Sequence, residues 1–256
     1  MIKLVGIPYE GGENFLKGTT EAPYKMRWAL ESLEVYSIYQ DSFLPDYRDL
    51  GDFIPPEVHH EEALKFIEEK VREILPAKIA VIGGDHNITF PVVKALKENI
   101  EDFWVVHLDA HLDTRDTYRG NKFTHASVMR RVLEIVGENR VISVGYRSYA
   151  QGEEIIPQYS APFKVFEPLK KFIDELNPEK VYLTLDLDVL DPSVFPAVSN
   201  PEPGGISFRE LMESILLLKG RLVGFDMVEF NPLAFQGTYP AVTAALILRE
   251  LLIALK

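Results

Sequence analysis

At 256 residues and 46% hydrophobic content, the chain holds enough apolar material for one large core. Its 39 acidic against 27 basic residues give a formal charge of -12, which speaks against general binding to nucleic-acid phosphates or anionic membranes and would draw in a cationic ligand. With no cysteine, disulfides, thiolate metal sites and cysteine nucleophiles are excluded.

Residues 2–8 read as a short buried strand closed by Pro8. The start Met-Ile-Lys-Leu-Val-Gly-Ile-Pro lacks the charged flank and apolar core of a signal peptide, and nowhere do about 18 apolar residues run uninterrupted. A cytoplasmic protein is therefore expected. A polar, glycine-rich loop over 10–20 leads into a helix from about Thr20, with Pro23 tolerated in its first turn. Residues 35–39 read as a strand and 41–57 as a connection holding Pro45, Pro55 and Pro56. Over 58–75 the apolar positions Ala63, Leu64, Ile67, Val71, Ile74 and Leu75 have helical spacing.

Strand and helix then alternate. Strands are predicted at 78–82, 103–108, 140–144, 181–185 and 222–228, and helices at 89–97, 127–136, 167–176, 207–218 and 239–255. The segment 150–166 fits neither period, and 189–205 is a proline-rich loop. Such alternation implies an α/β fold of three layers: a mostly parallel, doubly wound sheet of about eight strands with helices on both faces, in one domain spanning 1–256.

Three of the predicted strands deliver metal-ligand residues at their C-terminal ends, the edge where open α/β sheets hold their ligands. After 103–108 come Asp109, His111 and Asp113, spaced by two, so that the pleat and a subsequent bend can bring all three to one point. After 181–185 come Asp186 and Asp188, and after 78–82 the turn Gly83-Gly84-Asp85-His86. Carboxylates gathered in a crevice repel one another unless a cation neutralises them. Two imidazoles and four carboxylates suit two divalent ions about 3.5–4 Å apart, with Mn(II) favoured over a thiolate-seeking metal. Asp85 is expected to hold an imidazole or a loop amide, His107 to be a satisfied strand or supporting histidine, and Asp191, before Pro192, to be a turn residue. Spacing alone does not choose between a surface and a site role for His125, nor between a helix partner and a site carboxylate for Glu229.

Four blocks carry a resemblance: Gly83-Gly84-Asp85-His86, Asp109-Ala110-His111-Leu112-Asp113, Leu183 to Pro192 around Asp186-Leu187-Asp188, and Asp226-Met227-Val228-Glu229-Phe230-Asn231-Pro232. In this order and combination they resemble the ureohydrolase (arginase, agmatinase) family. One departure is Ser199-Asn200, where the family has Gly-Thr before the loop's proline. The resemblance implies an arginase-like fold and two Mn(II) ions, with His86 and Asp113 on the first, His111 and Asp188 on the second, and Asp109 and Asp186 bridging. It also implies His125 as proton shuttle and Glu229 as the partner of a guanidinium, with Asp113 among the residues at the reacting centre. The substrate would be a small cationic guanidino compound, hydrolysed to urea and an amine, and the protein a trimer or hexamer. The segment Tyr118 to Arg131 resembles the agmatinase-like branch, which would make putrescine for polyamine synthesis. Aminopropylagmatine, arginine, guanidinobutyrate and formiminoglutamate are alternative substrates, Arg115 being the residue that would suit an acidic one. A deacetylase-like metalloenzyme using one Zn(II) is the reading from another class.

Overall fold

The computed structural model describes all residues except 12–14, 57–58 and 156–158. Its centre is a seven-stranded sheet in which every neighbouring pair is parallel, in the order β4 (Tyr47–Asp52), β1 (Ile2–Ile7), β5 (Lys78–Gly83), β9 (Leu222–Val228), β8 (Val181–Asp186), β6 (Trp104–Leu108), β7 (Val141–Val144). Two short strands, β2 (Tyr36–Ser37) and β3 (Ser42–Phe43), form a separate antiparallel pair.

The helices are α1 (Ala22–Leu30), α2 (His60–Ile74), α3 (Thr89–Asn99), α4 (Val128–Val136), α5 (Phe166–Leu176), α6 (Phe208–Leu218) and α7 (Tyr239–Leu255). Alternate strand residues point to opposite faces, so each face builds its own core. Ala80, Ile82, Val106, Leu108, Leu183 and Leu185 pack under α1, α5, α6 and α7. Ile79, Val81, Val105 and Tyr182 pack under α2, α3 and α4. The expected three layers are present, with the sheet parallel throughout.

Strand count and boundaries differ from expectation in one region. The predicted strand 35–39 shrinks to two residues, because Ser37 and Gln40 turn inward to donate hydrogen bonds to Glu250 of α7 (2.6 and 3.0 Å). The predicted connection 41–57 instead contains edge strand β4, Tyr-Arg-Asp-Leu-Gly-Asp, pinned to α1 by Arg27 through Asp49 (2.7 Å) and Asp52 (2.5 Å). Charged residues on an edge strand block further pairing and hide it from an apolar pattern. The first residue of the predicted 58–75 helix, part of loop 10–20 and the middle of 150–166 lie outside the described residues; the rest of 150–166 forms no helix or strand until α5 begins at Phe166.

Helix α7 is largely apolar, apart from the polar pair Arg249 and Glu250, and Ile247, Leu248, Leu251, Leu252 and Leu255 are fully buried against α1, α6 and β9. Burying each such side chain contributes roughly 1.5–3 kcal/mol. Among the described residues no helix is long and apolar enough to cross a membrane.

Register aligns the ends of the central strands. Ile82, Met227, Leu185 and Leu108 stand level across β5, β9, β8 and β6. The chain beyond these four residues leaves the sheet at one edge, in the middle of the fold.

Candidate metal centre and cavity

The turn after β5 passes under the end of β1: the Gly84 N–H donates to Ile7 O (3.0 Å) and the Asp85 N–H to Tyr9 O (2.9 Å). A Cβ on Gly84 would stand 1.9 Å from Tyr9 O, so only glycine lets the chains approach this closely. Asp85 accepts the Asn87 N–H (3.1 Å), the loop-amide role expected of it. His86 is thereby held fully buried at the sheet edge.

Three carboxylates are fixed in the same manner, one oxygen on a backbone amide and the other turned inward. Asp109 Oδ1 accepts the His111 N–H (2.6 Å), Asp186 Oδ1 the Asp188 N–H (2.8 Å) and Asp188 Oδ1 the Ala110 N–H (3.0 Å). Their second oxygens converge with Asp113 on the imidazoles. His86 Nδ1 is 3.0 Å from Asp109 Oδ2 and 3.3 Å from both Asp113 Oδ2 and Asp186 Oδ2. His111 Nδ1 is 3.0 Å from Asp188 Oδ2 and 3.4 Å from Asp109 Oδ1. The structure thus brings together all six side chains singled out as ligands. Asp109 belongs to both groups, facing His86 with one oxygen and His111 with the other.

A buried relay decides which His86 nitrogen holds the proton. Tyr182 Oη and Thr184 Oγ1 donate to the two oxygens of Asp226 (2.6 and 2.7 Å). With its own proton given to Asp226, Thr184 accepts from His86 Nε2–H at 2.9 Å. In the neutral imidazole Nδ1 then keeps the lone pair, with three carboxylate oxygens around it and no hydrogen bond. That arrangement is repulsive unless a cation occupies the point they face. The charge balance agrees. Without an ion a proton supplies that positive charge: burial pulls the His86 imidazolium down, yet Asp109, Asp113 and Asp186 outweigh it and hold its pKa well above the ordinary value, while burial, Asp188 and Asp109 push Asp186 well up. These residues fit divalent cations: hard oxygens and imidazoles around an excess of negative charge.

His107 is not a spare ligand. Its Nε2 bonds Asp109 Oδ2 (2.8 Å) and its Nδ1 bonds Ser143 Oγ (2.9 Å), so both nitrogens are engaged and Asp109 is oriented.

A cavity of about 200 Å³ reaches the cluster at His111 and Asp113. Asp113 takes a left-handed backbone (φ 53°), and its carbonyl accepts the Met129 and Arg130 N–H groups at the start of α4. His125, set by a Thr124/Ser127 capping box, lines the same cavity with its ring edge on Tyr118 (5.7 Å). Its Nδ1 is buried without a hydrogen bond, and burial pushes the imidazole down to about 4, aided by His111 and His86. Arg115 lies on the wall 3.7 Å from Glu153 and stacks over Tyr118 at 5.0 Å. Glu229, also left-handed (φ 63°), is not on the wall. It lies buried beside His86, its Oε1 accepting the His86 N–H at 2.8 Å, and burial followed by Asp85 raises its pKa well above the usual carboxylate range.

Several supporting residues escaped the sequence reading. Tyr182 and Thr184 stand at i−4 and i−2 to Asp186 in an otherwise apolar strand, and that polar alternation was the available signal. Arg147 had none: its guanidinium binds the carbonyls of Gly145, Asp188, Val189, Leu190, Glu202 and Pro203, contacts set by tertiary structure alone. In the departing pair, Ser199 is buried and accepts from Asn231 Nδ2 (3.1 Å), while Asn200 faces the cavity.

The arginase family profile matches residues 1–254. An agmatinase of Bacillus anthracis is 33% identical over 263 aligned residues, covering 98% of this chain and 91% of the relative. One of Bacillus subtilis is 34% identical, with 98% and 90% covered. The crystal structure of agmatine ureohydrolase from Thermoplasma volcanium superposes with a TM-score of 0.84 at 31% identity, over 99% of this chain and 89% of that one. Full-length match, shared fold and a buried histidine–aspartate cluster at the sheet edge lead to one conclusion: the chain belongs to the arginase family.

Proposed function

We propose that the protein hydrolyses the guanidinium group of agmatine to urea and putrescine. The observation that carries this reading is Asp109 shared between two imidazole–carboxylate groups at the head of a cavity. The agmatinase relatives, which this chain matches over nearly its whole length, support the substrate.

His86 and Asp113 would hold one ion, His111 and Asp188 the other, with Asp109 and Asp186 between them. The all-oxygen and imidazole donor set supports Mn(II). Such ions, when bound, lower the pKa of water so that a nucleophile is available near neutral pH. The chain's own residues do the rest. Glu229 is the carboxylate that the family resemblance gives to the guanidinium; since it lies behind the wall beside His86, the guanidinium would have to reach past His111 and Asp113 to the His86 side, where it would return the raised Glu229 carboxyl to its ionised form and be oriented by charge-assisted hydrogen bonds. His125, neutral at its lowered pKa and with a buried Nδ1 lacking a partner, is able to take up a proton and pass it to the departing amine. The left-handed backbones of Asp113 and Glu229 are the kind of strain that active sites retain.

A cytoplasmic homo-oligomer completes the proposal, supported by the family resemblance; light scattering would test its trimer or hexamer. For the activity, urea release is measured on manganese-loaded protein with agmatine, aminopropylagmatine, arginine, guanidinobutyrate and formiminoglutamate. Agmatine is expected to give the highest kcat/KM, and no urea from any of them would reject the reading.

A further inference from the structure

The cavity wall carries three carboxylates: the ligand Asp113, and Glu153 and Glu202. Asp113 faces His86. Glu153 is committed to backbone donors, its two oxygens accepting the Thr114 and Ala150 N–H groups while Arg115 stands 3.7 Å away. Glu202 differs. Among the described residues its carboxylate accepts no hydrogen bond, and the group within ion-pair distance is His111 Nε2 at 3.6 Å, beyond hydrogen-bond length.

This carboxylate is also held in place by its backbone. Pro201 and Pro203 flank it, and both restrict the chain at and before them. Arg147 grips the Glu202 carbonyl through Nη2 (2.7 Å) and Nε (3.2 Å). On the other side Asp191 Oδ2 accepts the N–H groups of Gly204 (2.8 Å) and Gly205 (3.2 Å). A Cβ on Gly205 would lie 2.5 Å from Asp191 N, so the loop packs against that turn as only glycine allows. A carboxylate on so braced a loop, with no hydrogen bond and, among the described residues, only the His111 ring edge within ion-pair distance, is preorganised to receive a donor. The opposite charge on the wall, Arg115, is already balanced by Glu153 and stacked on Tyr118.

We propose that Glu202 receives the ammonium at the far end of the substrate and so selects guanidino compounds with a cationic tail over those ending in a neutral group or a carboxylate. This rests on the hydrolase reading above and adds the residue that sets its substrate class.

The test compares agmatine, butylguanidine (the same chain without the ammonium) and guanidinobutyrate on manganese-loaded wild type, Glu202→Gln and Glu202→Asp, with metal content measured for each. Glu202→Gln is expected to lower the ratio of kcat/KM for agmatine to that for butylguanidine about tenfold, chiefly through KM. Manganese content should be retained, and Glu202→Asp should keep more of the preference. An unchanged ratio with metal intact overturns the assignment. So does loss of manganese from both variants, which would make Glu202 a support for His111. Wild type preferring butylguanidine or guanidinobutyrate overturns it while leaving the hydrolase standing; no turnover of any compound removes both.

Discussion

His86 shows how much of a metal site is decided one bond away from the ligand. Its Nδ1 faces the carboxylates only because Nε2 is tied to Thr184, whose proton is taken by Asp226. On the cavity side, His125 contributes a nitrogen with no competing partner, so its removal should change proton transfer and not the cluster. Replacing His125 by Asn is expected to lower kcat for agmatine by about 10²–10⁴ fold, the usual contribution of a positioned acid or base, while manganese content measured by atomic absorption stays at the wild-type level. Unchanged kcat would remove His125 from the mechanism. Its spacing alone left the role open, since a histidine ahead of a helix start is equally at home on a surface.

At the scale of elements, the rim loop after β8 depends on one turn. Asp191 accepts the Ser193 hydroxyl (2.5 Å) and the N–H groups of Ser193 (3.0 Å), Gly204 and Gly205. Led by the Ser193 contacts, these hold its carboxyl down at about 2 against an ordinary 3.8. A depressed carboxylate adds stability that is complete above its unfolded pKa and is lost as pH falls through the folded one. Asp191→Asn should therefore melt below wild type at neutral pH, with the gap closing between about pH 4 and pH 2 in thermal melts monitored by circular dichroism. A gap independent of pH would show that the charge of Asp191 plays no part. The turn role was legible from Asp before Pro192, whereas its grip on glycines 13 and 14 residues away was not. The same contrast separates β5, β6, β8 and β9, whose apolar runs announce them, from β4, whose charges pair with Arg27 across the fold.

For the whole molecule, the decisive feature is that β5, β9, β8 and β6 lie side by side although the chain visits them as β5, β6, β8, β9. The ligands they bring together span residues 86–188, so cations bound there tie distant parts of the chain and bind the folded state alone. Saturating Mn(II) at a hundredfold excess over its dissociation constant should stabilise the protein by about 2.7 kcal/mol per bound ion, raising Tm by roughly 5–10 °C for each in a chain of this size. Calorimetry before and after chelation checks this, and an unmoved Tm would argue that the cluster binds no ion.

By itself the sequence determined the strand and helix periods, the parallel layered architecture they imply, and the residues that end each strand in His86, Asp109 and Asp186. These are local properties, written in hydrophobic spacing and in the residue types beside it. Only the tertiary structure decided that Asp109 serves two imidazoles, that Glu229 sits buried at the His86 amide and off the cavity wall, and that Arg147 and Asp191 brace the loop that sets Glu202 in that wall. The reason is range: which carboxylate ends up partnered depends on donors tens of residues away, and their meeting is fixed by strand order, which no local pattern encodes.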